Sequence, residues 1–179
     1  ARLHKTSFMH SVLEAAIFSS ATLVDCSLID TQAEKGRFEE STLITSSFIS
    51  ETSLNNADFN RSTIKSCNFR QTLLNGTQFI LSKIENSDLS EAQCQNADFA
   101  RANLAGSMFI RTDFRNANFS DANLIGTLLQ KSQLGGANFS GANLFRADLS
   151  QSFVNAKTRF NGALTKRAKT LPRCNGDII

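Results

Sequence analysis

The sequence predicts an all-β solenoid, and two regularities support this prediction. An apolar residue recurs every five positions, and a small residue stands two positions before it. Residues 97–149 show the motif most plainly, as a small residue, then usually Asn or Asp, then Phe or Leu. A period of five fits neither the 3.6-residue turn of a helix nor the two-residue alternation of a strand. Strict self-similarity at a short period instead indicates a repeat architecture.

The apolar residue at the middle of each five, here called the centre, can be followed through most of the chain. Centres run from Leu3 to Phe48 in steps of five, take one step of six to Leu54, and continue in steps of five to Val154. The residue two positions before each of these centres is Ala, Ser, Thr, Cys or Gly. Because a narrow tube cannot hold two large side chains per segment, we expect the centre and the small residue to share the interior.

These motifs resemble the pentapeptide-repeat family over about residues 1–154. The resemblance implies a right-handed quadrilateral parallel β-helix with four fives in each coil, and thus about eight coils in this chain. It also implies that the centre and the small residue point inward while the other three positions face solvent.

A column of phenylalanines supports four fives per coil. When every fourth centre is taken from Phe18 to Phe139, each one is Phe. The next member is expected at position 159, and Phe160 stands one residue later. The seven earlier members are Phe18, Phe38, Phe59, Phe79, Phe99, Phe119 and Phe139. We expect these rings to stack between coils that lie ~4.7–4.9 Å apart. Because the set stays in phase across the step from Phe48 to Leu54, the extra residue there is predicted to be a bulge within one coil.

Charge and pattern divide the chain into a β-helix over residues 1–156 and a short C-terminal cap with a basic tail over residues 157–179. The first part carries 13 basic and 15 acidic residues, and the second has a net charge of +5. In the cap, Leu164 or Leu171 is expected to cover Phe153 and Phe145. No comparable cap precedes Leu3, so we expect residues missing from this chain, or another molecule, to cover the first coil.

Candidate catalytic chemistry is sparse. His4 and His10 fall at outward positions without neighbouring ligands at metal-binding spacing, so no metal, cofactor or catalytic site is expected. Cys26 and Cys67 share one inward column two coils apart, roughly 9–10 Å, which is too far for a disulfide. Together with Cys94 and Cys174, they favour a reducing, cytoplasmic location over secretion.

One surface feature predicts contact with a partner. The position after the centre is apolar on two adjacent faces of the N-terminal coils, and its members are Met9, Val24, Ile29, Ile44 and Ile49. Contiguous exposed apolar residues usually mark a contact surface, although β-branched residues also simply favour a pleated surface. We therefore expect a protein partner or a homo-oligomer through this end, and neither nucleic-acid binding nor membrane insertion.

Three functions follow from these observations. The first is a non-catalytic protein-interaction scaffold, as a domain of a larger protein or as a partner-binding rod. The second, implied by the family resemblance, is the β-helix module of a secreted bacterial effector whose catalytic domain lies elsewhere. The third, also implied by the resemblance, is a DNA-mimicking topoisomerase-binding protein. The near-neutral charge of residues 1–156 argues against this third function, because a DNA mimic needs an acidic rod.

Overall fold

The chain winds into a parallel β-helix, which a computed structural model describes for residues 1–169. Residues 1–169 contain only strands, isolated bridges and turns, so none of them forms a helix that could cross a bilayer. The strands are β1 (Arg2–His4), β2 (Ser7–Met9), β3 (Thr22–Val24), β4 (Ser27–Ile29), β5 (Thr42–Ile44), β6 (Ser47–Ile49), β7 (Thr63–Lys65) and β8 (Lys83–Glu85).

Parallel pairing stacks each coil on the next. One sheet has the strand order β1-β3-β5-β7-β8 and the other has the order β2-β4-β6. We number the four sides of the tube faces 1 to 4, by the centres Leu3, Phe8, Leu13 and Phe18 of the first coil. Within residues 1–169, regular strands occur on face 1 in five coils and on face 2 in three. The coils that contain a regular strand are therefore fewer than the eight coils predicted. Isolated parallel bridges continue the same stacking as far as the pair Asp148 and Lys169. The predicted all-β parallel solenoid is confirmed.

The centres form one continuous core. From Ala21 to Val154 every centre and most of the small residues before them are buried, as the pentapeptide pattern predicts. The eight phenylalanines of face 4 form an unbroken stack, with neighbouring ring centroids between 4.5 and 5.1 Å apart. Offset stacking of such rings adds about 0.5–1.5 kcal/mol per pair beyond their burial.

The step of six between Phe48 and Leu54 is a bulge, as predicted. Ser50 and Glu51 both adopt positive φ, at 58° and 60°, whereas nearly every other turn within residues 1–169 has one such residue. The bridge from Gln32 to Ser53 spans the bulge without a break in the ladder. The extra residue is therefore accommodated in a corner, where it does not shift the inward columns.

The ladder does not stop at residue 156. Arg159, Leu164 and Lys169 pair with Asn138, Asn143 and Asp148 of the coil before, so residues 157–169 continue the β-helix. The expected cover of Phe153 by Leu164 is wrong, because the two lie on opposite faces and remain 46% and 60% exposed. Leu171 and Cys174 lie outside the described residues.

Candidate protein-contact surface

The five residues predicted as a contact surface lie in two parallel columns, which we call the N-terminal ridge. Met9, Ile29 and Ile49 follow one another on face 2 through the pairing of β2, β4 and β6. Val24 and Ile44 are paired on face 1 by β3 and β5. Extended backbone turns all five side chains outward: Met9 is 54% exposed and the others are half-buried. The structure thus places the five on two adjacent faces of the first three coils.

A polar corner separates the two columns. Asp25 stands at this corner in a left-handed conformation, with φ of 53°. The imidazole of His4 lies 3.5 Å from the Asp25 carboxylate, and the hydroxyl of Thr45 donates a hydrogen bond to the same group. The ridge is therefore two apolar strips flanking a hydrogen-bonded corner, which gives a partner both apolar area and polar groups.

Ion pairs mark the C-terminal limit of the ridge. Lys65 pairs with Ile44 across β5 and β7, and its ammonium group lies 3.8 Å from Glu85. Arg70 follows Ile49 in the outward column of face 2, and its guanidinium lies 2.9 Å from the Glu91 carboxylate. Because both columns change from apolar to charged at the same height, the ridge has a sharp boundary.

Sequence reasoning missed two apolar residues on the first coil. Val12 is 73% exposed on face 3 and Ile17 is 69% exposed on face 4, both at the position before the centre. In the next coil the same columns carry Gln32 and Arg37. A comparison of that position between coils would have revealed both residues.

The two histidines are exposed to solvent, whereas Cys26, Cys67 and Cys94 lie in the core. The imidazole of His10 lies 2.9 Å from Asp30, in a solvent-exposed pair at a corner. Within residues 1–169, no cluster of His, Cys, Asp and Glu side chains could hold a metal ion. Cys26, Cys67 and Cys94 are free and buried. Burial raises the pKa of the Cys67 thiol to about 11, and burial likewise raises the pKa of Cys94, so both stay protonated and unreactive near neutral pH.

Comparison with protein families agrees with this geometry. Residues 1–79 match the family described as "Pentapeptide repeat region", and residues 87–124 and 122–154 match "Pentapeptide repeats (8 copies)". The chain belongs to the pentapeptide-repeat family. No curated protein matches it by sequence.

Solved structures share the fold. Full-length QnrB1, a plasmid-mediated fluoroquinolone resistance protein, superimposes with a TM-score of 0.58 at 18% identity, over 92% of this chain and 81% of that one. A trypsin-treated variant of QnrB1 gives a TM-score of 0.59 at 19% identity, over 90% and 78% of the two chains. HetL, involved in heterocyst differentiation in the cyanobacterium Nostoc sp. strain PCC 7120, gives 0.38 at 21% identity, over 94% and 86%. At 18–19% identity, the likeness to QnrB1 shows the fold alone.

Proposed function

We propose that this chain is a non-catalytic protein-interaction scaffold, which contacts a protein partner or a second copy of itself through its N-terminal coils. The observation that supports this most is the N-terminal ridge, whose two apolar columns end together at Lys65 and Arg70. Apolar side chains that follow one another along a surface are a usual mark of a contact site. The exposed Val12 and Ile17 extend apolar area to the other two faces of the first coil.

Charge favours this function over DNA mimicry. The side chains of Arg61, Arg101, Arg111 and Arg115 are exposed along the rod. Three of them pair with an acidic neighbour: Arg61 with Glu40, Arg111 with Glu91 and Arg115 with Asp113. With 13 basic and 15 acidic residues over residues 1–156, the rod lacks the continuous negative field of a nucleic acid.

The test replaces Ile29 and Ile49 together by Lys, which charges the centre of the ridge while leaving the inward columns intact. The matched control replaces Ile110 and Ile125 by Lys. These two residues lie on faces 2 and 1, the two faces of the ridge, but beyond its C-terminal limit. Light scattering would measure self-association, and affinity capture with mass spectrometry would identify partners. We expect the ridge variant to lose the dimer or the captured partner and the control to retain it.

Two results would contradict the proposal. One is a wild-type chain that stays monomeric at high concentration and captures the same proteins as the ridge variant. The other is an equal loss of binding in the control, since that would reflect added charge in general. Circular dichroism melts of the three proteins would establish that each variant is folded.

A further inference from the structure

The last coils of the rod carry a concentrated positive charge. Residues 157–169 contain five basic side chains and no acidic one. Lys166 lies on face 1, and Arg167 lies at the corner that follows this face. In the coil before, Phe145 and Arg146 occupy the same two positions. We call Phe145, Arg146, Lys166 and Arg167 the arginine corner.

Both arginines of this corner pack on one aromatic ring. The guanidinium carbon of Arg146 lies 5.2 Å from the centroid of the Phe145 ring, and that of Arg167 lies 6.0 Å from it. The backbone N–H of Arg146 donates to the carbonyl of Lys166 at 3.3 Å, which fixes the two turns one above the other. Cation–π contacts thus hold two long side chains close together and reduce the conformational freedom that binding would remove.

The positive charges of the corner lack carboxylate partners within residues 1–169. The neighbouring Lys169 pairs with Asp148 at 3.5 Å, and elsewhere on the rod Arg111 pairs with Glu91 at 3.3 Å. No such ion pair joins Arg146, Lys166 or Arg167 to a described residue. Like charges stacked in this way repel one another, so an anion placed between them would be stabilised.

The fold does not require arginine at this corner. Gly106 and Gly126 form the same turn in the two preceding coils, with φ of 71° and 65°. Arg146 and Arg167 adopt the same left-handed conformation, with φ of 58° and 60°, which is unfavourable for residues with a Cβ. Non-glycine residues adopt this conformation at most corners of the rod, so the turn accepts either arginine or glycine and does not itself select arginine.

We propose that the arginine corner binds an acidic segment of a protein partner, with a carboxylate between the two guanidinium groups and an apolar side chain against Leu164. This inference rests on the proposed scaffold function and adds a second contact surface to it. The guanidinium fork matches a carboxylate through paired hydrogen bonds. Leu164, on the same face, is 60% exposed and supplies the apolar contact.

The extent of the positive surface favours a peptide over a nucleic acid. The same corner is uncharged in the three preceding coils, at Asn86, Gly106 and Gly126, so the positive surface is confined to the last two coils of this part of the rod. Proteins that bind nucleic acid neutralise several phosphates along a basic stripe. A surface two coils deep suits one or two carboxylates instead.

The experiment measures binding of a short fluorescein-labelled peptide of alternating glutamate and leucine to the full chain by fluorescence anisotropy. The test variant replaces Arg146 and Arg167 by Gly, the residue that forms this turn in the preceding coils. The control replaces Arg61 and Arg101 by Gly, which removes the same charge from positive-φ turns at another corner. A third variant, Arg146→Lys with Arg167→Lys, keeps the charge but loses the planar fork.

We expect the glycine variant to lose at least about tenfold in affinity, because a charge-assisted pair is removed. The control should change affinity by less than about twofold, since exposed charges elsewhere contribute little. The lysine variant should bind more weakly than wild type, and a peptide with serine in place of leucine should also bind more weakly.

Several outcomes would overturn the proposal. They are no peptide binding by the wild type, an equal loss in the glycine variant and the control, or wild-type affinity in the lysine variant. Tighter binding of a single-stranded oligonucleotide, or of phosphatidylserine vesicles, with the same dependence on both arginines would replace the peptide by those partners. All variants retain the N-terminal ridge, so failure here and failure of the ridge test are separate results.

Discussion

Faces 1 and 2 are built from extended strands in the early coils and from tight turns in the later ones. In the strand-built coils, the N–H after a corner bonds to a side chain of the next coil, as Cys26 does to the Ser46 hydroxyl oxygen at 3.1 Å. In the turn-built coils, the equivalent N–H bonds back to the carbonyl of the preceding centre, as Ser107 does to Leu104 at 3.1 Å. Faces 3 and 4 use the tight turn throughout, as in the bond from Ala16 to Leu13 at 3.0 Å.

The change on each face coincides with its first Asn at the position before the centre. On face 2 this is Asn68, whose side-chain oxygen accepts the N–H of Arg70 at 3.0 Å, and β6 is the last strand before it. On face 1 it is Asn103, which accepts the N–H of Ala105 at 3.3 Å directly after β8. Every strand has Arg, Ser, Thr or Lys at this position. Because a local Asx bond competes with extended backbone, the first Asn favours the turn.

This difference explains where the N-terminal ridge lies. Its five residues all end strands, where β-branched side chains are favoured and point outward from the pleat. The arginine corner lies instead in the turn-built coils. The two proposed contact surfaces therefore rest on two kinds of backbone within one ladder of coils.

The largest expected effect is the loss of stability when a buried phenylalanine is truncated, and it should be similar in the strand-built and the turn-built coils. Phe48→Ala in the strand-built coils and Phe99→Ala in the turn-built coils should each lower the free energy of unfolding by about 3–5 kcal/mol, because each leaves a cavity in the core. Arg101→Ala should change it by less than ~0.5 kcal/mol. Urea denaturation would measure all three. A cost that differs strongly between the two phenylalanines would show that the regions are packed unequally.

The second prediction tests whether the turn-built coils are sensitive to acid. Burial favours the neutral form of Asp148, but hydrogen bonds from Ser150 and Gln130 and the charge of Lys169 outweigh it and lower its pKa. Because folding lowers the pKa of Asp148, its carboxylate stabilises the fold at pH values above the ordinary pKa of about 3.9. This stabilisation is lost as the pH falls below that value and the folded carboxylate becomes protonated. Asp148→Asn should therefore cost about 1.5–3 kcal/mol at neutral pH.

That cost should shrink as the pH falls toward 3, in melts of the two proteins. Hydrogen exchange should show the C-terminal coils of the wild type opening first in acid, because coils of a repeat protein unfold locally. At the stacked positions, the strand-built coils have the non-titrating Ser27 and Ser47. A cost that is constant with pH would mean that the Asp148 charge does not stabilise the fold.

A smaller effect is expected from the Asx bond itself. Asn68→Ala should cost about 1 kcal/mol, because the N–H of Arg70 loses its side-chain acceptor. Ser47→Ala, at the stacked position one coil earlier, should change stability by less than ~0.5 kcal/mol. Equal effects in denaturant melts would remove the Asx bond as the cause of the change from strand to turn.

The smallest expected effect concerns two buried hydroxyls. The hydroxyl oxygens of Ser62 and Ser82 have no hydrogen-bond partner, and Ala102 follows them in the same inward column. Alanine at either place should leave stability unchanged or raise it by up to ~1 kcal/mol, since an unsatisfied polar group is removed. Ser46→Ala should instead cost about 1 kcal/mol, because its hydroxyl bonds to the Ile44 carbonyl at 3.0 Å. If Ser62→Ala is as destabilising as Ser46→Ala in melts, the Ser62 hydroxyl makes a stabilising hydrogen bond and the prediction is wrong.

The sequence by itself determined the fold, the inward columns, the phenylalanine stack and the bulge after Phe48. It could do so because one five-residue period assigns every position to the interior or to solvent, whatever the local backbone. The same period placed Met9, Val24, Ile29, Ile44 and Ile49 outward, on two adjacent faces.

Only the tertiary structure decided which segments are strands. Val12 and Ile17 are β-branched and precede their centres without an Asx bond, yet both form isolated bridges before tight turns and not regular strands, a difference that the five-residue period does not encode. Stacking also brought Arg146 and Arg167, 21 positions apart, onto the ring of Phe145. A period of five gives each residue a face and a height, but the contacts between coils depend on side chains that the pattern leaves variable.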